Sequence, residues 1–289
     1  MKIRISSGTD TGIERSNNED NSTFLLDLEH LSWGKNPNDY INLGKYGSIA
    51  LIADGMGGAD AGEVASAIAV DSFAKFINPE VLDKIIFLDD LSILDFLKEN
   101  IAKINLQLLD HMTANPNTIG MGTTFVVIWI LNGKAYIAWC GDSRCYLFNP
   151  YNGLIQLTKD HSFVQSLIDK GEIKEEDSFN HPDSNIITRY LGDFDSFQGA
   201  DALVYNISEN DNFLLCSDGL SGYCDHTSIQ NCISTHYNCP DDIVKSLIQM
   251  AIDRGGYDNI TVQYISLSND CSPNVGNIIQ KFRHFLGLD

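Results

Sequence analysis

Residues 123–142 read TTFVVIWILNGKAYIAWCGD, two apolar runs joined by Asn-Gly at positions 132–133. Both runs are rich in β-branched and aromatic residues, and Asn-Gly between such runs is the strongest short-range signal for a β-hairpin. The return strand ends in Gly-Asp at 141–142. A second hairpin of the same kind is predicted over residues 146–157, with Asn-Gly at 152–153. Consecutive hairpins indicate an antiparallel sheet.

The remaining periodicity predicts groups of helices separated by strands. Apolar runs predict further strands in the opening residues and at residues 46–53, 212–217 and 260–267. Apolar residues at helical spacing predict helices at residues 65–77, 89–112 and 243–252, with shorter ones at 161–168 and 174–179. Too few βαβ units occur for a doubly wound parallel sheet. We therefore predict an α+β fold, a β-sandwich flanked by helices.

The composition is that of an acidic globular protein. Of 289 residues, 43% are hydrophobic, and 39 acidic against 19 basic residues give a net charge of −20. Such a charge repels phosphate backbones and anionic lipids, so we expect neither nucleic acid nor a membrane surface as a partner. The seven cysteines show no C-x-x-C pair, and the sequence has no signal segment and no membrane-length apolar stretch. We therefore expect a cytoplasmic protein with reduced cysteines.

Five aspartates lie in short Gly-bearing or polar motifs, most of them next to a predicted strand. They are Asp20 in Asn18-Glu19-Asp20, Asp54 in Ala53-Asp54-Gly55-Met56-Gly57-Gly58, Asp142 in Gly141-Asp142-Ser143-Arg144, Asp218 in Ser217-Asp218-Gly219 and Asp258 in Asp258-Asn259. Carboxylates that converge cannot neutralise one another, so a cluster needs cations, and oxygen ligands favour Mg²⁺ or Mn²⁺. Each motif alone also fits a turn or a helix cap. Together they indicate a metal-dependent hydrolase.

The Asp54-Gly55 pair is the most informative of these motifs. A carboxylate leaving a strand can bridge two cations, and the following glycine lets its carbonyl approach a cation because no Cβ blocks the turn. With Asp218 and Asp258, this pair can supply an oxygen cage for two cations. Two cations roughly 3.5–4 Å apart can share a bridging water and lower its pKa toward neutrality. The resulting hydroxide can attack phosphorus in line, and no Ser-His or Cys-His pair is then required.

Arg15 stands in a polar turn just ahead of the Asn18-Glu19-Asp20 motif. A planar guanidinium can bind two phosphate oxygens at once. A lone arginine is normally a solvated surface charge, but its position before a carboxylate pair makes phosphate recognition a competing interpretation.

The motifs occur in an order that resembles a known family. In chain order they are Gly12-x-x-Arg15-x-x-Asn18-Glu19-Asp20, Asp54-Gly55-Met56-Gly57-Gly58, Gly122-Thr123-Thr124, Gly141-Asp142-Ser143-Arg144-x-Tyr146, Leu157-Thr158-x-Asp160-His161, Ser217-Asp218-Gly219-Leu220 and Asp258-Asn259-Ile260-Thr261. The ordered set is specific although each motif is weak alone. Over residues 1–267 the chain resembles the bacterial type of the type 2C metal-dependent protein serine/threonine phosphatases, the PPM family. Residues 268–289 lie outside the match and are predicted to form a linker and an amphipathic tail helix.

The resemblance implies a four-layer αββα sandwich, with two central antiparallel β-sheets flanked by helix pairs. It also implies hydrolysis of phosphoserine and phosphothreonine in proteins with Mn²⁺ or Mg²⁺. Asp54 would bridge the two catalytic cations, the Gly55 carbonyl would complete the first site, and Asp218 and Asp258 would hold the second. These three aspartates are thus the predicted catalytic residues. Asp142, together with Asp218, matches the site of a third, weaker cation in bacterial relatives.

Other matched positions surround these ligands. Arg15 corresponds to the clamp for the substrate phosphate, and Glu19 and Asp20 correspond to residues that orient metal-bound waters. Residues 162–189 match a mobile flap beside the site. The expected partners are phosphorylated proteins, the substrates of a Ser/Thr kinase in a signalling system, and the enzyme is expected to act as a monomer.

The chain departs from the family pattern in three places. Met56 stands where many eukaryotic relatives have a histidine as candidate general acid, so the proton donor to the leaving alkoxide is not identified. His161 is a poor substitute, since a lone histidine after aspartate is more typical of a structural hydrogen bond. The segment between Asp20 and Asp54 is longer than expected, and an added surface loop is predicted within residues 27–48, around Trp33. The tail is the third departure.

Two other functions remain compatible with the fold. A catalytically silent sensor or scaffold would be expected to lack some ligand positions, and none is missing. A phosphatase dedicated to one regulatory partner would share the chemistry and differ in the flap and in the loop before Asp54. A nucleotide-binding kinase is disfavoured because neither Gly-x-Gly-x-x-Gly nor Gly-Lys-Ser/Thr occurs.

Overall fold

The computed structural model describes residues 1–29, 31–34, 39–57, 61–195 and 197–268. Its strands are β1 (Lys2–Asp10), β2 (Asp20–Leu25), β3 (Ile41–Asn42), β4 (Ser48–Met56), β5 (Gly122–Thr123), β6 (Phe125–Leu131), β7 (Lys134–Cys140), β8 (Arg144–Asn149), β9 (Gly153–Gln156), β10 (Asp201–Asn206), β11 (Asn212–Cys216) and β12 (Ile260–Ser268). Its helices are α1 (Ala61–Phe76), α2 (Pro79–Ile85), α3 (Asp90–Ala114), α4 (Phe163–Asp169), α5 (Asp218–Ser221), α6 (His226–Thr235) and α7 (Pro240–Asp253).

The strands form two antiparallel sheets. The first has the order β3-β1-β12-β11-β8-β9, and the second has the order β10-β7-β6-β4-β2, with β5 paired to β4. Both predicted hairpins are present, as β6–β7 and β8–β9. Asn132 and Gly133 take left-handed φ angles of 51° and 76°, which the two-residue Asn-Gly turn requires.

Three apolar cores hold four layers together. The core between the two sheets includes Ile52 and Ile265. A second core lies between the β10–β2 sheet and helices α1 and α3, and includes Leu97. A third lies between the β3–β9 sheet and helices α6 and α7, and includes Leu247. Each fully buried leucine contributes roughly 1.5–3 kcal/mol to folding. The predicted αββα sandwich is confirmed.

The sequence patterns do not predict β2 and β10, which are the two edge strands of their sheet. An edge strand can carry many polar residues: β2 begins with the polar residues 20–23, and β10 is exposed or half-buried along its whole length. Because apolar and polar residues alternate only weakly in these edge strands, the sequence pattern does not predict them. Helices α2 and α6 are not predicted either. Their caps, Asn78 and Asp225, accept hydrogen bonds from backbone N–H groups three residues on.

Strand β4 extends further than predicted. The predicted strand ends at residue 53, whereas β4 continues through Asp54 and Gly55 to Met56. The extension exists because Gly55 and Met56 pair with β5, which is too short to be read from sequence. Asp54 therefore lies inside a paired strand. In addition, the helix predicted at 174–179 is a single 3₁₀ turn, Glu175–Asp177.

Hydrogen bonds, apolar packing and strand pairing hold the long segment between β2 and β4 against the rest of the domain. Gly34 N–H donates to Phe24 O (2.8 Å), Trp33 packs against the core beside α1 and α3, and β3 pairs with β1. The rest of the predicted surface loop at 35–37 and Gly58 lie outside the described residues. Of the linker and tail helix predicted over residues 268–289, Ser268 is the last residue of β12, and residues 269–289 lie outside the described residues. Across the described ranges, no helix is both long and apolar enough to span a membrane.

Candidate active site

The five aspartates singled out by sequence lie at one end of the sandwich. Asp20 and Asp54 are directly opposite each other in the paired strands β2 and β4. Asp218 lies two positions after the last residue of β11, and Asp258 lies two positions before the first residue of β12. Because these strands are antiparallel neighbours, the two aspartates meet at the same end of the sheet. Asp142 lies in the turn from β7 to β8, and β8 is the other neighbour of β11. The topology thus brings together carboxylates that are far apart in sequence.

Hydroxyl groups link the segments of the two sheets that carry the aspartates. Ser217 Oγ donates to Asp20 Oδ2 (2.8 Å). Thr124 Oγ1 accepts from the Asp54 N–H (3.0 Å) and lies 2.7 Å from Ser143 Oγ, next to Asp142. These bonds fix the relative positions of segments that belong to different sheets.

Two glycines in the Asp-Gly motifs allow backbone segments to pack tightly. A Cβ on Gly55 would lie 2.1 Å from Gly62 O and 2.6 Å from Glu19 O, and a Cβ on Gly219 would lie 1.9 Å from Asn259 O. Neither glycine has a left-handed φ. Glycine is therefore required here by the space available and not by an unusual backbone conformation. The close packing of the Gly219 backbone against the Asn259 carbonyl brings Asp218 beside Asp258.

The electrostatics of the cluster are those of crowded, buried acids. Burial raises the pKa of Asp20 to about 7 and that of Asp218 to about 6, and repulsion from neighbouring carboxylates contributes in both cases. Burial raises the pKa of Asp54 well above its ordinary value, with further increases from Asp20 and Asp218. Burial and the charge of Asp218 do the same for Asp142.

These residues fit a site for divalent cations. Asp20 Oδ1 and Asp142 Oδ1 are buried without a hydrogen-bond partner, which is costly unless another group satisfies them. A cation would satisfy such oxygens and reverse the pKa shifts. In the part of the chain that the structure describes, no three His, Cys, Asp or Glu side chains already surround one point closely enough to hold a metal ion. The carboxylates are within electrostatic range of one another. Backbone carbonyls and waters would complete the coordination shell of a cation, as is usual for Mg²⁺.

Arg15 reaches the cluster from the loop between β1 and β2. Its Nη2 lies 2.9 Å from Asp258 Oδ2, and its side chain is 49% exposed. Asn259 fastens this loop, because its Nδ2 donates to the carbonyl oxygens of Thr11 and Asn17 (2.9 Å each). Sequence reasoning assigned no role to Asn259; its only signal was its position beside an aspartate of the cluster.

Glu19 lies where this loop joins β2. Its N–H donates to Asn259 Oδ1 (2.7 Å), and its carbonyl accepts from the Gly55 N–H (3.1 Å) and from Ser66 Oγ (2.6 Å). Its carboxyl group lies against Gly62, where a Cβ would be 2.7 Å from Glu19 Cδ. Glu19 thus connects the Asp258 segment, strand β4 and the start of α1.

A partly buried ion pair supports the turn that carries Asp142. Arg144 donates from Nε and Nη2 to the Asp160 carboxylate (3.0 and 2.6 Å) and from Nη1 to Tyr146 Oη (2.9 Å). The charge of Arg144 partly offsets the effect of burial, which raises the pKa of Asp142. Both members of the pair belong to the quoted motifs, but sequence spacing did not predict that they pair.

The predicted flap segment, residues 162–189, begins and ends at one carboxylate. His161 Nε2 lies 3.1 Å from Asp201 Oδ2, and Arg189 donates from both Nη atoms to the same carboxylate (3.1 Å each). His161 Nδ1 accepts from the Gly141 N–H (3.0 Å), and burial lowers the pKa of His161. This histidine is therefore engaged in structural hydrogen bonds at the base of the flap.

Comparison with known proteins gives a family. Residues 13–260 match the family model described as protein phosphatase 2C. The chain is 34% identical over 254 residues to the serine/threonine phosphatase stp of Listeria welshimeri, which covers 88% of this chain and 92% of that protein. It is 31% identical over 271 residues to the protein phosphatase PhpP of Streptococcus pneumoniae, and this match covers 93% of this chain and 99% of PhpP. The solved structure of the catalytic domain of the serine threonine protein phosphatase PstP, in complex with two manganese ions, superposes with a TM-score of 0.71 at 28% identity, covering 92% and 98%.

The resemblance inferred from the ordered motifs is thereby confirmed, and it extends to bacterial members of the family. The matches span nearly the whole length of these relatives, so they concern the complete catalytic fold and not one motif. The chain belongs to the protein phosphatase 2C family of Mn²⁺- or Mg²⁺-dependent phosphoprotein phosphatases.

Proposed function

We propose that this chain hydrolyses phosphoserine and phosphothreonine in protein substrates at the aspartate cluster, with two Mn²⁺ or Mg²⁺ ions bound. The observation that carries the proposal is the convergence of buried carboxylates whose pKa values are raised by burial and by one another. Such a cluster costs free energy in the empty protein, and this cost is relieved when cations bind. The related phosphatase PstP, whose catalytic domain is solved in complex with two manganese ions, supports this proposal.

The ligand set that we propose is the one implied by the ordered motifs. Asp54 would hold both ions, with the Gly55 carbonyl on the first and with Asp218 and Asp258 on the second. Asp142, whose Oδ1 is buried without a partner, would hold a third ion together with Asp218. When bound, two such ions lower the pKa of a shared water, so that hydroxide is available for in-line attack on phosphorus.

The remaining residues orient the reactants. Arg15 already contacts the Asp258 carboxylate and is half exposed, so its planar guanidinium can turn to receive a phosphate group entering from solvent. Asp20 accepts a hydrogen bond from Ser217, and its other carboxylate oxygen is buried without a partner, so it would be able to accept a hydrogen bond from a metal-bound water. Glu19 is fixed through its backbone beside Asp20 and would orient water from the other side.

The cellular setting is also part of this proposal. We infer a monomeric cytoplasmic enzyme, with its phosphatase domain at residues 1–267, that acts on the phosphorylated substrates of a Ser/Thr kinase. The six cysteines among the described residues are all free thiols, which agrees with a reducing compartment.

The test is phosphate release from a phosphothreonine peptide in the presence of Mn²⁺. We expect activity that EDTA abolishes and that Asp54→Asn reduces at least about 10³-fold, because this substitution removes a charge shared by two ions. Asp71→Asn, an exposed aspartate on α1, is the matched control and should leave activity unchanged. Calorimetric titration with Mn²⁺ separates an enzyme from a silent scaffold. Activity that survives EDTA, or a fully active Asp54→Asn variant, would refute the proposal.

A further inference from the structure

Three apolar or aromatic side chains lie on the Arg15–Asp258 side of the site and take no part in the chemistry described above. Ile13 is 64% exposed and Tyr257 is 55% exposed, although both are bulky; Tyr223 is half-buried beside them. Ile13 stands two residues before Arg15, and Tyr257 directly precedes Asp258. We call Ile13, Tyr223 and Tyr257 the rim.

The rim is a fixed surface, because each member is held by the fold. The rings of Tyr223 and Tyr257 pack with centroids 5.7 Å apart at an interplanar angle of 41°. The Tyr257 ring folds back across Gly255, where a Cβ would lie 2.0 Å from the ring. Ile13 N–H donates to Gly256 O (2.7 Å), and its side chain lies against that glycine. Exposed apolar groups held rigidly in this way mark a contact surface.

The rim is continuous with the place where a substrate phosphate would bind. The ring of Tyr223 packs on that of Tyr257, which directly precedes the metal-ligand candidate Asp258. Arg15 contacts Asp258 at 2.9 Å from the loop that also presents Ile13. A residue next to the phosphorylated one would therefore come to lie on the rim.

We propose that the rim binds the residue flanking the phosphoserine or phosphothreonine and favours an apolar or aromatic side chain there over an acidic one. This inference rests on the proposed function of the adjacent site. Aromatic rings offer a large apolar contact at low entropic cost, and flat rings on a substrate can pack on Tyr257. An acidic flank gains no such contact and is repelled by Glu14, which is exposed between Ile13 and Arg15, and by the net charge of −20.

The experiment compares three substrates: capped phosphothreonine without flanking residues, a phosphothreonine peptide with phenylalanine on both sides, and the same peptide with aspartate. We expect Tyr257→Ala to lower kcat/KM for the phenylalanine peptide about tenfold, mainly through KM, and to leave the capped amino acid unchanged. Tyr257→Phe should retain the preference. Tyr151→Ala is the control, because Tyr151 is 83% exposed in the β8–β9 turn, at the far end of β8 from Asp142.

A second readout does not depend on turnover. The dissociation constants of non-hydrolysable phosphonate versions of both peptides, measured by fluorescence anisotropy, should show the same preference and the same loss in Tyr257→Ala. The inference is overturned if Tyr257→Ala loses as much kcat/KM or affinity for the capped amino acid as for the phenylalanine peptide. It is also overturned if Tyr257→Ala keeps the preference for phenylalanine. Absence of phosphate release from all three substrates by the unaltered protein contradicts the proposed function instead, while the anisotropy measurement still decides whether the rim selects its ligand.

Discussion

Replacing Gly219 with alanine tests whether close backbone packing assembles the site. A Cβ at this position would lie 1.9 Å from Asn259 O and 2.8 Å from the Asn259 carbonyl carbon. Both contacts are to backbone, which cannot rotate away as a side chain would. The segment that carries Asp258 must therefore move away from Asp218.

The size of the displacement follows from these distances. Real Cβ atoms essentially never come within 3.0 Å of such an atom, so the two segments must separate by about 1 Å. Metal ligands tolerate deviations of only about 0.2 Å, and a misplacement of about 1 Å in an active site costs on the order of 10²-fold in rate. We expect Gly219→Ala to lower kcat/KM at least about 100-fold and to weaken Mn²⁺ binding. Overpacking should also lower the unfolding free energy by about 1–3 kcal/mol.

The assay is phosphate release from a phosphothreonine peptide as a function of Mn²⁺ concentration, together with calorimetric Mn²⁺ binding and urea unfolding of the metal-free protein. Gly133→Ala is the matched control. Gly133 lies in the β6–β7 turn at the end of the hairpin opposite Asp142, has a left-handed φ of 76°, and has no atom within 4 Å of the added Cβ. This variant should lose about 1 kcal/mol of stability and keep its kinetics.

Two outcomes would contradict the reasoning. If Gly219→Ala keeps its Mn²⁺ affinity and its kcat/KM within about threefold, the close approach of the two segments does not position the ligands. If Gly133→Ala loses as much activity as Gly219→Ala, the loss reflects general destabilisation and not the geometry of the site.

Three further predictions concern the residues around the cluster. Asp160→Ala leaves the partly buried Arg144 without its carboxylate and should cost about 1–3 kcal/mol in urea unfolding; a loss below about 0.5 kcal/mol would show that the pair is dispensable. In the metal-free protein the unfolding free energy should fall as the pH rises from about 4 to about 7. The pKa values of Asp20 and Asp218 are raised in the folded state, so the folded protein binds more protons than the unfolded chain over this range. Asp20→Asn should flatten that slope, and an unchanged slope in urea titrations would contradict the assignment. Asn259→Ala removes the hydrogen bonds that hold the Arg15 loop. It should raise KM for phosphopeptides about tenfold with a smaller change in kcat. An unaltered KM would mean that the loop does not need these hydrogen bonds.

Sequence reasoning reached the fold class because the signals that define it are local. Asn132-Gly133 between two apolar runs specifies a hairpin within about twenty residues, and the helical stripes of α1, α3 and α7 repeat within one element. The edge strands β2 and β10 were missed because an edge strand is stabilised by pairing with a neighbour, and its own alternation of apolar and polar residues is weak. The continuation of β4 through Asp54 was missed for a related reason, since its partner β5 has only two residues.

For the site, the motifs alone predicted which aspartates would lie together, because each stands in a short motif with glycine or a polar neighbour and the motifs occur in a specific order. The folded structure was needed to show that Asp20 faces Asp54 across two strands, that Arg144 pairs with Asp160, and that Asn259 holds the Arg15 loop. These are contacts between residues separated by up to 248 positions, and no local pattern encodes which distant backbone will pack against a given glycine. The physical reason is that strand pairing and layer packing minimise the exposed apolar surface of the whole domain, and the positions of the polar ends follow from that global arrangement.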